Sequence, residues 1–194
     1  MADRKGSSRV SLVYTTQEIV LLAVLGVIFG LTNIFLGALP QWGGALAGPL
    51  ASAALGGFVQ ISQVLSGYIV RRPGAATLTM MINVTAQFLA GNPAGVILFP
   101  FGLAQGLGAE VAFAARGYRK IGMGTMLVAG GLANVGSQLM FVFLFGWKAA
   151  WSIYYASLPV ALIGGAIEAG LIAWILGLAL DRTGLIQSVR RLSA

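Results

Sequence analysis

Residues 17–39 read QEIVLLAVLGVIFGLTNIFLGAL. Glu18 stands at the start and no other ionisable side chain follows within the run. A helix that crosses the hydrocarbon core of a bilayer needs about 20 mainly apolar residues, and this stretch reaches that length. The rest of the chain has the same character. Of its 194 residues, 58% are apolar and 9% charged, with a mean hydropathy of +0.88. Soluble domains carry about 25% charged residues. The chain therefore reads as an integral membrane protein.

Working outward from this first run, five more apolar segments follow, at roughly 45–70, 74–90, 94–115, 121–146 and 153–180. The breaks between and after them carry turn or charge chemistry: LPQWGG (39–44), RRPG (71–74), GNPAG (91–95), RGYRK (116–120), GWKAAW (146–151) and DRTG (181–184). Strand-type alternation does not persist, which argues against a barrel. The expected fold is an all-α bundle of six transmembrane helices forming a single domain over 1–194. A polar N-terminal tail covers 1–16 and a basic C-terminal tail 183–194. The start, MADRKGSSRV, does not read as a cleaved signal peptide, because the apolar run behind it continues to spanning length.

Charge sets the orientation. With the N-terminus inside, the inner segments hold Arg4, Lys5, Arg9, Arg71, Arg72, Arg116, Arg119, Lys120, Arg182, Arg190 and Arg191, and the outer segments hold Lys148. This is a strong positive-inside bias, so both termini are expected in the cytoplasm. The net charge of +7 then reflects topology and contact with anionic lipid rather than nucleic-acid binding. Cysteine and histidine are absent, which removes thiolate or imidazole metal sites and His-dependent triads. No phosphate-binding G-x-x-x-x-G-K-[ST] loop is present, and no cofactor is expected.

Asn92-Pro93-Ala94 spells the triplet of water channels. A water channel uses two such triplets in inverted halves, and this chain has one, placed in an outer loop. Asn92 suits an N-cap and Pro93 the first turn of a helix. A helix start and a ligand-facing loop are the two readings.

Ionisable residues inside spans are costly and are functional candidates by default. Glu18 lies at the inner end of span 1, Glu110 in the inner half of span 4, and Glu168 near the middle of span 6. Glu110 is within about 9 Å of Arg116 along a helix, which leaves a structural role open. Amides recur as well. Asn83 and Gln87 share one face of span 3, and Asn134 and Gln138 share one face of span 5, each pair four residues apart. Gln60 and Gln63 lie in span 2 and Gln105 in span 4. Interhelical hydrogen bonding accounts for several of these; their recurrence on four spans points to a polar cavity. Trp42, Trp147, Trp151, Tyr154 and Tyr155 cluster toward the outer mouth, as an interfacial belt or as a lid over a flat or cationic ligand. Ala23, Gly26 and Gly30 form a small-residue stripe on span 1, and Gly102 and Gly106 repeat the spacing on span 4.

Within 71–120, the pieces RRPGAA (71–76), GNPAG (91–95) and QGLGAE (105–110) resemble the YkoE-like substrate-binding (S) components of energy-coupling factor (ECF) vitamin transporters. The resemblance implies capture of thiamine or its hydroxymethylpyrimidine moiety near the outer face. It also implies docking, through the Ala23, Gly26 and Gly30 stripe, to a transmembrane coupling subunit that works with two cytoplasmic ATPases. The candidate ligand residues on this reading are Gln87, Asn92, Asn83, Gln105, Asn134, Gln138, Glu168, Glu110, Trp42, Trp151 and Tyr155. Two departures stand out. The family pattern implies Glu four residues before the Gly-Asn-Pro, where this chain has Gln87, and an acidic residue earlier in span 3, where it has Met80. A neutral pyrimidine, or Glu168 as a substitute charge, would reconcile them. Another small vitamin or amine is an alternative ligand. A small channel is the runner-up function, but it lacks the inverted repeat or charged rings a pore uses. An intramembrane enzyme would have carboxylates alone to work with.

Overall fold

The computed structural model describes residues 13–145, 151–184 and 186–187. Most of both tails, together with Trp147 and Lys148, therefore lies outside the described residues. Among those described, the secondary structure is helical throughout. Five stretches are long and apolar enough to cross a membrane: 16–47, 49–70, 95–115, 123–144 and 155–182. The sixth crossing is α5 (Ala75–Leu89), an apolar helix of 15 residues, or about 22 Å.

Helix α1 (Thr16–Leu36) begins in a capping box: the Thr15 hydroxyl accepts from the Glu18 amide, and the Thr15 amide donates to the Glu18 carboxylate. The same carboxylate takes Arg72 at 2.7 Å. Tyr14 donates to the Pro73 carbonyl at 2.6 Å, and Tyr68 donates to Asp181. Arg71 takes a left-handed conformation, φ 55°, with its guanidinium 5.3 Å from the Tyr68 ring centre. The RRPG turn thus gathers the start of α1, the end of α4 (Ile61–Val70), the start of α5 and the end of α9 (Ile172–Arg182) at one end of the bundle. This end also carries Arg116, Arg119, Lys120 and Arg182, and the positive-inside rule places it in the cytoplasm.

Burial raises the pKa of Tyr14 from 10.0 to about 12, the Glu110 and Glu18 carboxylates push it the same way, and Arg72 opposes them. A raised phenol pKa favours the native state fully below the unfolded value and ceases to do so as pH climbs through the folded one. The melting temperature is therefore expected to fall between about pH 10 and 12, and to fall less steeply in Tyr14→Phe, as thermal scans across that range would show.

The second span is not one helix from residue 45. Helix α2 (Ala38–Ala47) runs through the LPQWGG segment, the chain turns at Gly48, and α3 (Pro49–Leu55) begins at the proline. Gly48 has φ +80°, a conformation glycine adopts without strain, and Pro49 suits the first helical turn. A 3₁₀ segment (Gly56–Gln60) then leads into α4. Every residue of α4 is buried, so the amide-bearing helix is the centre of the bundle, with α1, α5, α6 (Leu98–Ala115), α7 (Met123–Phe145) and α9 packed around it. The sixth span is also interrupted. Helix α8 (Trp151–Gly165) passes into a π-helical segment (Ala166–Leu171) before α9.

The inner half is filled by a core that includes Leu22, Val64, Tyr68, Phe113, Met126 and Ile186, and the Phe113 ring lies where a Gly67 side chain would be. The glycine stripe of α1 is consumed inside the chain. A Cβ at Gly26 would lie 2.7 Å from Ile82, and one at Gly30 would lie 2.6 Å from the Asn83 carbonyl oxygen. Both glycines are buried against α5 and Ala23 is half-buried, which corrects the expectation that Gly26 and Gly30 form a free docking stripe. Close helix approach is the physical reason, because the small residues face the neighbour they admit. The exposed side of α1 is instead Ile19, Val20, Val24, Val27, Ile28, Leu31 and Phe35.

Candidate functional site

At the end opposite the RRPG turn, a cavity of about 420 Å³ opens between α1, α2, α3, α5, α6 and α7. Helical spacing explains its walls. Helix α5 contributes Met80, Val84 and Gln87; α6 contributes Leu98, Phe101 and Gln105; α7 contributes Ser137, Gln138 and Phe141. Asn33 at the end of α1, Gln41 of α2, Ser52 of α3, Gly56 and Val59 of the 3₁₀ segment, and Asn92 of the α5–α6 loop add polar and backbone lining. Close backbone approach holds the walls in place. Val84 occupies the space a Gly102 side chain would take, and the Ala104 carbonyl sits where a Gly136 side chain would be.

The α5 wall is a set of linked amides. The Gln87 amide nitrogen donates to Asn83 Oδ1 at 2.8 Å, and Asn92 donates to Gln87 Oε1 at 2.8 Å. The Asn92 carbonyl oxygen accepts from the Ala94 amide at 3.0 Å, and the helical path begins three residues after Asn92, at Gly95. Asn92 and Pro93 therefore lie in a turn ahead of the helix, not at its N-cap and first turn, and Asn92 closes that turn while lining the cavity. Asn33 donates to the Val59 carbonyl at 2.9 Å and to Asn83 at 3.3 Å. Across the cavity, Gln105 donates to Ser137 at 3.0 Å. The side-chain carbonyl oxygens of Asn33 and Gln105 are buried acceptors without a donor among the described residues. Gln138 lines the cavity with its amide uncommitted to any other described residue. The Phe101 and Phe141 rings meet edge to face, 6.3 Å between centres, and give a flat ligand an aromatic surface. None of the described lining residues is ionisable.

Of the sequence candidates, Gln87, Asn92, Gln105 and Gln138 come together on this cavity. Asn83 sits one step behind Gln87. Asn134 does not line it; its amide ties the Ala53 and Ala161 carbonyls at 2.9 and 3.0 Å, joining α3 to α8. Glu110 belongs to the inner end. Its carboxylate accepts from the Gly74 amide at 2.7 Å, the Thr77 amide at 3.4 Å and the Tyr118 hydroxyl at 2.8 Å, which anchors the start of α5. The expectation of a ligand contact there is corrected: three protein donors occupy the group.

Glu168 lies in the π-helical segment behind Gly57, where its Oε2 would be 2.7 Å from a Gly57 Cβ. The Gly57 and Phe58 amides face the carboxyl group, though Oε2 closes no hydrogen bond among the described residues. The 3₁₀ segment stands between it and the cavity, so Glu168→Gln is expected to leave ligand affinity within about twofold of wild type, measured by calorimetric titration.

Trp42 and Tyr155 are exposed by 65% and 62% and do not line the cavity; the Trp151 side chain lies outside the described residues. Phe101 and Phe141 supply the aromatic surface that the sequence reading assigned to this group. Asn33 was missed, yet a signal existed. Leu22, Gly26, Gly30 and Asn33 are all buried, and their spacing of four, four and three continues the glycine stripe into the cavity.

A family described as "ABC-type cobalt transport system, permease component" matches residues 17–136. A Bacillus subtilis (strain 168) protein named "Putative HMP/thiamine permease protein YkoE" is 31% identical over 181 residues, covering 91% of this chain and 89% of its own. A solved structure described as "Crystal structure of an S-component of ECF transporter" is similar with a TM-score of 0.83 at 28% identity, over 91% of this chain and 90% of that one.

Proposed function

The chain belongs to the ABC-type cobalt transport permease family and is an S component of an ECF transporter, and from that premise we propose that its outer cavity captures thiamine or hydroxymethylpyrimidine by the pyrimidine ring. As an S component it is a non-enzymatic, multi-pass protein of a prokaryotic plasma membrane that binds a vitamin and works with coupling and ATPase subunits.

The observation that carries the substrate reading is the uncharged lining of the cavity. Its volume of about 420 Å³ falls in the range of small-molecule sites, about 300–1,000 Å³. An aminopyrimidine has ring nitrogens that accept and an amino group that donates. Gln87 and Gln138 are placed to donate, and the Asn33 and Gln105 carbonyl oxygens are buried acceptors. The faces of Phe101 and Phe141 suit a flat ring. No described lining residue carries a carboxylate for a thiazolium cation, so the charged end of thiamine adds little. The inner half holds the buried hydrophobic core, which supports a cup over a channel.

Calorimetric titration of the detergent-purified protein tests this. Hydroxymethylpyrimidine and thiamine are expected to bind within about tenfold of each other, a difference of about 1.4 kcal/mol. Thiamine binding more than 100-fold tighter would defeat the pyrimidine-centred reading, and no heat with either ligand would defeat the substrate class.

A further inference from the structure

The amides on the α5 wall belong to a longer hydrogen-bonded chain that runs on behind the cavity wall. Asn92 donates to Gln87, Gln87 to Asn83, and Asn83 to the Ser62 hydroxyl at 3.1 Å. Ser62 donates to Gln63 at 3.3 Å, Gln63 donates to Gln60, and Gln60 reaches the Gly56 carbonyl at 3.5 Å, a long final contact. Asn83, Ser62, Gln63 and Gln60 are each 0% exposed. Both ends, Asn92 and Gly56, line the cavity, whereas Ser62, Gln63 and Gln60 do not.

Every step runs in one sense, donating away from the outer loop. An amide can flip, and a hydroxyl can exchange its donor and acceptor roles. The chain as a whole cannot, because its ends rest on backbone groups of fixed polarity. At the outer end the Ala94 N–H donates to the Asn92 carbonyl oxygen, so the Asn92 amide nitrogen must face Gln87. At the inner end Gly56 offers a carbonyl, which only accepts. Reversing Gln87 alone would set two carbonyl oxygens against each other at Asn83 and two amide nitrogens against each other at Asn92. Each such unmade buried bond is costly.

We propose that Ser62, Gln63 and Gln60 are positioning residues that hold the Gln87 amide in the orientation where its remaining N–H is the group left to meet a ligand. The proposal rests on the cavity being the ligand site. It specifies the ligand atom that Gln87 meets as an acceptor, such as a heteroaromatic ring nitrogen or a hydroxyl oxygen. One Gln87 N–H is taken by Asn83 and its carbonyl already accepts from Asn92, so the remaining N–H is the group of Gln87 that no protein partner engages among the described residues. Specificity for an acceptor-bearing ring thus depends on a serine and two glutamines that do not line the cavity.

The test uses the full chain in detergent and has two arms. Without ligand, selective ¹⁵N labelling reads the side-chain amides of Gln87 and Asn92. Ser62→Ala is expected to shift or broaden both, and unchanged resonances would overturn the chain. With ligand, hydroxymethylpyrimidine and thiamine titrations compare wild type, Ser62→Ala, Gln87→Met and the double variant. Ser62→Ala is expected to weaken binding by about fivefold in the wild-type background and by less than about twofold once Gln87 is gone. Equal factors in both backgrounds would assign Ser62 a general packing role and overturn the proposal. Gln63→Met, which keeps side-chain length, replaces Ser62→Ala if that variant does not fold. Absence of binding to wild type would defeat the site reading, while the ligand-free arm would still decide the chain.

Discussion

Gln87→Leu weakens hydroxymethylpyrimidine binding by about 100-fold, about 2.7 kcal/mol. The side chain is 5% exposed and lines the cavity between Val84 and Asn92. Leucine is close to glutamine in size, so the wall keeps its shape and the fold is retained. The donor is lost, and a buried ligand acceptor left without a partner costs about 1–3 kcal/mol. Asn92 also loses the carbonyl that holds its amide at 2.8 Å, so the loop at the cavity mouth is held less firmly. Calorimetric titration of wild type and variant checks the result, and an affinity within threefold of wild type would remove Gln87 from the site. Gln87→Glu adds a second reading at the same position. A carboxylate there cannot donate to Asn83, so binding of the neutral pyrimidine falls. It also supplies the negative charge the cavity lacks, so the ratio of thiamine to hydroxymethylpyrimidine affinity rises.

Glu110→Leu lowers stability by about 3–5 kcal/mol while leaving ligand affinity of the folded fraction within about twofold. The reason is local. The Gly74 amide, the Thr77 amide and the Tyr118 hydroxyl all donate to this one carboxylate. Each orphaned donor costs about 1–3 kcal/mol, less where water can reach it. Gly74 holds the entry to α5 with φ +89°, so the loss acts where the RRPG turn enters the helix. Glu110→Gln is expected to be milder. Its single carbonyl oxygen can still accept from Gly74 and Tyr118, both of which use Oε1 in the native chain. Thermal unfolding followed by circular dichroism measures both variants. A Glu110→Leu protein as stable as wild type would show that water replaces the carboxylate at the inner end.

These two residues illustrate what could be read in advance. Both are polar groups in or beside apolar runs, and polarity alone marked them as candidates. Their different roles depend on which end of the bundle each helix presents. Gln105 and Glu110 sit five residues apart in the same QGLGAE motif; one lines the cavity and the other anchors the RRPG turn. Glu168 looked like the replacement charge because it is the carboxylate nearest the middle of a span. It lies behind Gly57 because the chain passes there as a 3₁₀ segment, and nothing in a one-dimensional polarity pattern marks that intervening wall. The Gly26 and Gly30 stripe was legible as a close-contact surface. Whether it met another subunit or α5 was not, since a glycine pattern states how near a neighbour comes and leaves open whose helix it is.

The sequence by itself determined the membrane setting, six apolar crossings and their orientation, and it marked the intramembrane amides as candidates without separating those that line the cavity from those that tie helices together. Hydropathy, helix length and the positive-inside bias are local or additive properties, so they survive without knowledge of contacts. The tertiary structure decided the rest. It buried α4 on all sides, interrupted the second and sixth spans, sent Glu110 to a latch and Glu168 behind a wall, and added Asn33 to the site. It also fixed the direction of the amide chain. Hydrogen-bond sense depends on partners far apart in sequence, such as Asn33 with Asn83 and Asn83 with Ser62, and those partners are set only when the helices pack.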